Sequence, residues 1–64
     1  MNIFARYETM DPYILLSAVN LKLRDHYSSL EDLCATHEID QALLERRLKD
    51  LGYKYDREQN QFKG

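Results

Sequence analysis

Cys34 and His37 stand three residues apart, a spacing that places both side chains on one face of a helix, and His26 lies close in sequence. One thiol and two imidazoles could furnish part of a zinc site or a thiolate–imidazole nucleophile. A structural zinc site, however, takes four ligands at paired spacings, and the chain has a single cysteine. Cys34 is therefore expected to be a small core residue and His37 a half-buried, hydrogen-bonded histidine. Glu31-Asp32 is the acidic pair that general acid–base work would require. Both fall in a first helical turn, where carboxylates favour the positive end of the helix dipole, and that placement accounts for them. The sequence leads to no catalytic, cofactor or metal site, hence to no enzyme.

Basic residues are the second source of chemistry. Arg46, Lys49, Lys54, Arg57 and Lys63 could form a modest basic edge, and the exposed side of a helix after Asp40 offers Gln41, Leu43, Glu45, Arg46, Arg47 and Asp50. A DNA contact built here would use Gln41, Arg46, Arg47, Lys49, Lys54 and Lys63, with the second helix of a helix-turn-helix entering the major groove. Charge argues against it. The formal net charge is −2, with −3 over residues 28–39, none over 40–51 and +1 over 52–64. The acidic block falls on the helix that would lie against phosphates, and firm binding commonly uses about six to ten phosphate contacts.

The third candidate is a contact surface. Five tyrosines are many for 64 residues, and tyrosine suits interfaces where one end of the side chain stays wet. Most are expected at the edge of the core, because a small domain needs large apolar side chains. Tyr13, Leu21, Leu43, Arg46 and Arg47 carry apolar or stacking-capable groups outside the expected core stripe and are the candidate contact residues.

The elements that position these residues follow from local signals. Met1–Met10 mixes apolar and polar residues and is expected to be an arm, with Phe4 or Tyr7 in a surface groove, or a short strand. Asp11-Pro12 is a helix start: the aspartate accepts from free amides, and proline needs none at the first position. A helix is expected to about Tyr27, with Leu15, Leu16, Val19, Leu23 and Tyr27 on its main face and Ile14, Ala18 and Leu21 on a second. Such width places it centrally or against a partner. Asn20, beside the main face, must bond a backbone group in the next turn or loop, since an unpaired buried amide costs about 1–3 kcal/mol.

Ser28 with Glu31 fits a capping box, and Leu30, Leu33, Cys34 and His37 recur on one face of a helix of about ten residues. Asp40 caps a third helix, with Ile39 and Leu44 spaced as a hydrophobic staple. Leu44, Leu48 and Leu51 point inward, and Gly52 ends the helix in the left-handed conformation with Tyr53 packing on Leu48. The segments 53–56 and 60–63 alternate in polarity and predict a hairpin whose Tyr53, Tyr55 and Phe62 close the core.

Over residues 29–51 the string SLEDLCATHEIDQALLERRLKDL resembles, in its apolar spacing, the helix-turn-helix of bacterial winged-helix regulators. His37 stands where that class has an aliphatic residue and Glu38 where it has a turn glycine, which implies a looser or longer turn. DPYILLSAVNLKLRD, YSSLEDLC and GYKYDREQNQF together resemble a family of small bacterial proteins described as a domain of unknown function. That resemblance covers residues 11–63 and implies a free-standing bacterial domain without implying a reaction.

The expected fold is mainly α: a three-helix bundle over residues 11–64, with a helix-turn-helix-like pair and a small C-terminal β-hairpin, winged-helix-like. At this length only about 60% of the unfolded surface is buried on folding, so the core must be small and closely patterned. Apolar residues at 44% and charged residues at 31% place the chain among globular domains rather than disordered ones. A pI near 5.5 gives no pull toward an anionic membrane, and no signal segment or long apolar run is present, which predicts cytoplasmic residence. The expected role is a non-enzymatic protein-interaction module with a protein partner or a second copy of itself; the alternative is a degenerate helix-turn-helix protein that binds DNA as a dimer.

Overall fold

Asp11 starts the first helix as its sequence demands: one carboxylate oxygen accepts from the amides of Tyr13 at 2.9 Å and Ile14 at 3.4 Å. In the computed structural model, which describes residues 6–64, helix α1 then runs Pro12–Asp25, α2 Leu30–His37 and α3 Gln41–Lys49, followed by strands β1 (Lys54–Asp56) and β2 (Gln61–Lys63). The fold is mainly α, with the two strands paired antiparallel as Lys54↔Lys63, Tyr55↔Phe62 and Asp56↔Gln61. The three helices pack pairwise, β2 lies on α1 and β1 on α3.

The core is Leu15, Leu16, Ala18, Val19 and Leu23 of α1, Leu30, Leu33 and Cys34 of α2, Ile39, Leu44 and Leu48 around α3, and Phe62 from the hairpin. Ala18 therefore belongs to the buried face, while Ile14 and Leu21, expected beside it, turn outward. The reason is angular: Ala18 lies closer to the Leu15 row than they do, and a helix of 3.6 residues per turn cannot bury its whole circumference in so small a bundle. Leu51 follows the helix and is half-buried against the core.

Four local expectations shift. Helix α1 ends at Asp25, and Tyr27 leaves it to pack edge-to-face on His37 with centroids 5.6 Å apart. Helix α2 is capped by Ser29 rather than Ser28: the Ser29 hydroxyl accepts from the Asp32 amide at 3.1 Å. Glu31, displaced from the capping role, receives Arg57 at 2.6 Å. The turn between α2 and α3 is short despite lacking glycine, because Glu38 itself adopts φ 55°, ψ 45°, and the Ile39 amide closes back on the Cys34 carbonyl at 2.9 Å. Asp40 then caps α3 through the amides of Ala42 and Leu43.

Helix α3 ends as read, with Gly52 at φ 88° and the Tyr53 amide donating to the Leu48 carbonyl at 3.0 Å. At the N-terminus Arg6–Met10 forms a turn, its Thr9 and Met10 amides donating to the Arg6 carbonyl. The rest of the expected arm or strand, with Phe4, lies outside the described residues. No helix among the described residues is long and apolar enough to cross a membrane.

Candidate functional site

Of the residues that could carry redox or nucleophilic chemistry, Cys34 is buried, His37 half-buried and His26 exposed. Cys34 is 4% exposed among the core leucines, and its thiol is pushed up to about 11, first by burial and then by the carboxylates of Glu45, Glu31 and Asp40. A thiol so held keeps its proton near neutral pH, and the thiolate is the nucleophile. His37 meets the Tyr27 hydroxyl through Nε2 at 3.0 Å. His26 is exposed, its ring centroid 6.4 Å from that of Tyr27. Among the described residues no group of three His, Cys, Asp or Glu side chains is placed to hold a metal ion. The Glu31 carboxyl is held below its ordinary value by a hydrogen bond from its own backbone amide, then by Arg57, as a helix N-terminus dictates.

Along α3 and the hairpin the basic residues separate. Arg47, expected on the surface, is half-buried: its guanidinium donates to the carbonyls of Tyr7 and, at 2.9 Å, Met10. It ties the N-terminal turn to α3, and the Tyr7 hydroxyl on the same turn accepts from the Asp40 amide. Leu43, also expected outside, and Gln41 are half-buried. Lys63 lies 3.7 Å from Asp56. Arg46 and Lys49 share a shallow depression with Ala42, Glu45 and Asp50, and Lys49 and Lys54 share the next with Glu45, Tyr53 and Tyr55. The edge is thus three cations interleaved with two carboxylates.

Helix α1 presents a different surface. Among the described residues the exposed large hydrophobics are Tyr13 at 62%, Ile14 at 61% and Leu21 at 50%, all on this helix. They lie with Ser17 and Arg24 on its outward side, opposite the core stripe. A groove lined by Leu16, Ser17, Asn20, Leu21 and Arg24 runs along one flank, its far wall formed by Tyr53 and Gln61 of the hairpin segment. At the C-terminal end Arg24 pairs with Asp25 at 3.0 Å.

Tyr13 and Leu21 are where the sequence placed them. Ile14 was legible only as part of a second stripe, and Tyr53 and Gln61 became part of this surface through the hairpin's docking, for which no local spacing gives a signal. That docking is polar as well as apolar. The Asn20 amide donates to the Phe62 carbonyl at 3.2 Å and accepts from the Phe62 amide at 2.8 Å. Asn60 donates to the carbonyls of Leu23 and Tyr27, covering the end of α1. The Tyr55 hydroxyl bridges the Asn60 side chain and the Leu30 amide at the start of α2.

No curated protein and no solved structure matches the chain. One family profile does, and it covers residues 9–62, a span that reaches from the turn ahead of α1 to the strand residue whose backbone Asn20 holds. The chain therefore belongs to the family described as a domain of unknown function, DUF4250.

Proposed function

We propose that this chain is a small, non-enzymatic, cytoplasmic protein-interaction module of bacterial type that makes its contacts through the outward side of α1. One observation carries the proposal: among the described residues the exposed large hydrophobic side chains, Tyr13, Ile14 and Leu21, all stand on the outward side of one helix, while the other large apolar groups are buried or half-buried. Large apolar side chains exposed together on one helix side are costly in water unless something covers them. The groove beside it adds polar rim atoms from Asn20, Arg24 and Gln61.

The test is recovery of partners on the immobilised chain, comparing the parent with a Tyr13→Ser, Leu21→Ser double variant and with Arg46→Ala, Lys49→Ala. Partners recovered by the parent are expected to be lost with the first variant and kept with the second. Equal recovery by all three would remove the proposal.

The short α2–α3 turn supports a second proposal, DNA binding by α3. Arg46, Lys49 and Lys54 would be its phosphate contacts, and Glu45 and Asp50 among them weaken it. Duplex retardation that falls steeply with salt and disappears on Arg46→Ala with Lys49→Ala would favour this; a flat titration at low salt would remove it.

A further inference from the structure

We infer that the partner of the α1 face is a second copy of this chain, its own α1 packed antiparallel across the first about a two-fold axis near Ser17. The inference rests on the contact role proposed for this face and names its occupant.

Three features of the face are self-complementary. Ile14 and Leu21 are seven residues, two turns, apart on the same outward side with Ser17 between them. An axis near Ser17 brings Ile14 of each copy level with Leu21 of the other, and the small serine at the crossing allows the backbones to approach. The ends of the helix carry opposite charge. The Asp11 cap leaves one negative charge at the N-terminal end, and Lys22, Arg24 and Asp25 one net positive charge at the other. Antiparallel packing sets each negative end, twice, against a positive one and also opposes the helix dipoles; parallel packing would set like against like.

The third feature is Tyr13. Helical spacing puts it on the same side of the face as Asn20, which lines the groove, and the two-fold carries it to the level of residue 22 of the partner, between Asn20 and Arg24. There its ring covers the groove and comes under the Arg24 guanidinium, within the roughly 6 Å at which a cation and a ring attract. Its hydroxyl remains at the wet rim beside Gln61. The apolar centre is small, so the dimer forms at micromolar to millimolar concentration rather than below it.

Sedimentation equilibrium of the intact chain from micromolar to millimolar concentration tests this. The expected result is a monomer–dimer equilibrium whose dissociation constant rises at least tenfold in Leu21→Ser and is unchanged in Arg46→Ala, both variants keeping the parental helical spectrum. Orientation is read by mixing Ile14→Cys and Leu21→Cys chains under mild oxidation. The antiparallel pair gives a disulfide between the two different chains in preference to either self-linked product. A mass of one chain throughout the range overturns the inference, as does preferential self-linking. If the chain stays monomeric while Tyr13→Ser with Leu21→Ser still abolishes partner recovery, the contact role survives and the second copy as occupant does not.

Discussion

Asn20 and Phe62, 42 residues apart, are joined by two hydrogen bonds in which the carboxamide of a helix takes the place of a neighbouring strand. Phe62 is opposite Tyr55 in the hairpin, and its amide and carbonyl turn to Asn20 of α1. The asparagine satisfies both groups with the one side chain that offers a donor and an acceptor side by side. A two-stranded hairpin is marginal alone in water, and this pair, together with burial of the Phe62 ring, holds it to the helices.

Asn20→Ala leaves the Phe62 amide and carbonyl without their partner in a half-buried setting. The expected loss is about 1–3 kcal/mol. In so small a domain that lowers the melting temperature by several degrees per kcal/mol. Amide exchange at Phe62 should quicken by more than at Leu33, and equal protection in parent and variant would contradict the assignment.

Asn60 sits at φ 53° and turns its amide onto two carbonyls at the end of α1. Asn60→Gly keeps the backbone and loses the cap. Asn60→Asp removes the donor and faces a carboxylate to those carbonyls, so it is expected to be the worse of the two, by about 1 kcal/mol or more. Urea midpoints in the reverse order would sink this account.

Glu38 occupies the left-handed region, which costs a residue bearing a Cβ about 1–2 kcal/mol. Glu38→Gly relieves that strain and gives back part of it through a more flexible unfolded chain, for a net gain of about 0.5–1 kcal/mol. Glu38→Val, β-branched at positive φ, should destabilise. Denaturant midpoints for the two variants are expected on opposite sides of the parent.

Leu33 and Leu48 are fully buried, whereas Leu21 is half exposed. Leu33→Ala or Leu48→Ala should cost about 2–5 kcal/mol, enough to unfold much of the population. Leu21→Ala, measured at low concentration, should stay within about 0.5 kcal/mol of the parent. Calorimetry that found all three alike would refute the core assignment.

Cys34 links stability to pH on the alkaline side. Its folded-state pKa of about 11 lies above the 9.0 of an unperturbed thiol. Below pH 9 both states hold the proton; as pH climbs toward 11 the unfolded chain releases it first, so stability falls through that window. Cys34→Ala should lose this alkaline slope, and the native thiol should label slowly at neutral pH until the chain is unfolded.

The helix signals at Asp11-Pro12, Asp40 and Gly52 were legible because each acts within a few residues: a carboxylate accepts from amides two and three positions on, and a glycine tolerates positive φ wherever it stands. The leucine spacings of α2 and α3 fixed their buried faces for the same reason. At the α2 cap the local capping-box spacing pointed to Ser28, and the structure uses Ser29, a choice accompanied by burial of Leu30 with Tyr55 bonded to its amide. Arg47 passed for a surface cation because nothing in its own helix marks carbonyls 37 and 40 residues upstream as its partners. The sequence alone thus determined the helices, the hairpin and the apolar centre. Only the tertiary structure decided which polar side chains join distant backbones, and which side of α1 was left facing water, because those outcomes depend on groups that meet only after the chain has closed on itself.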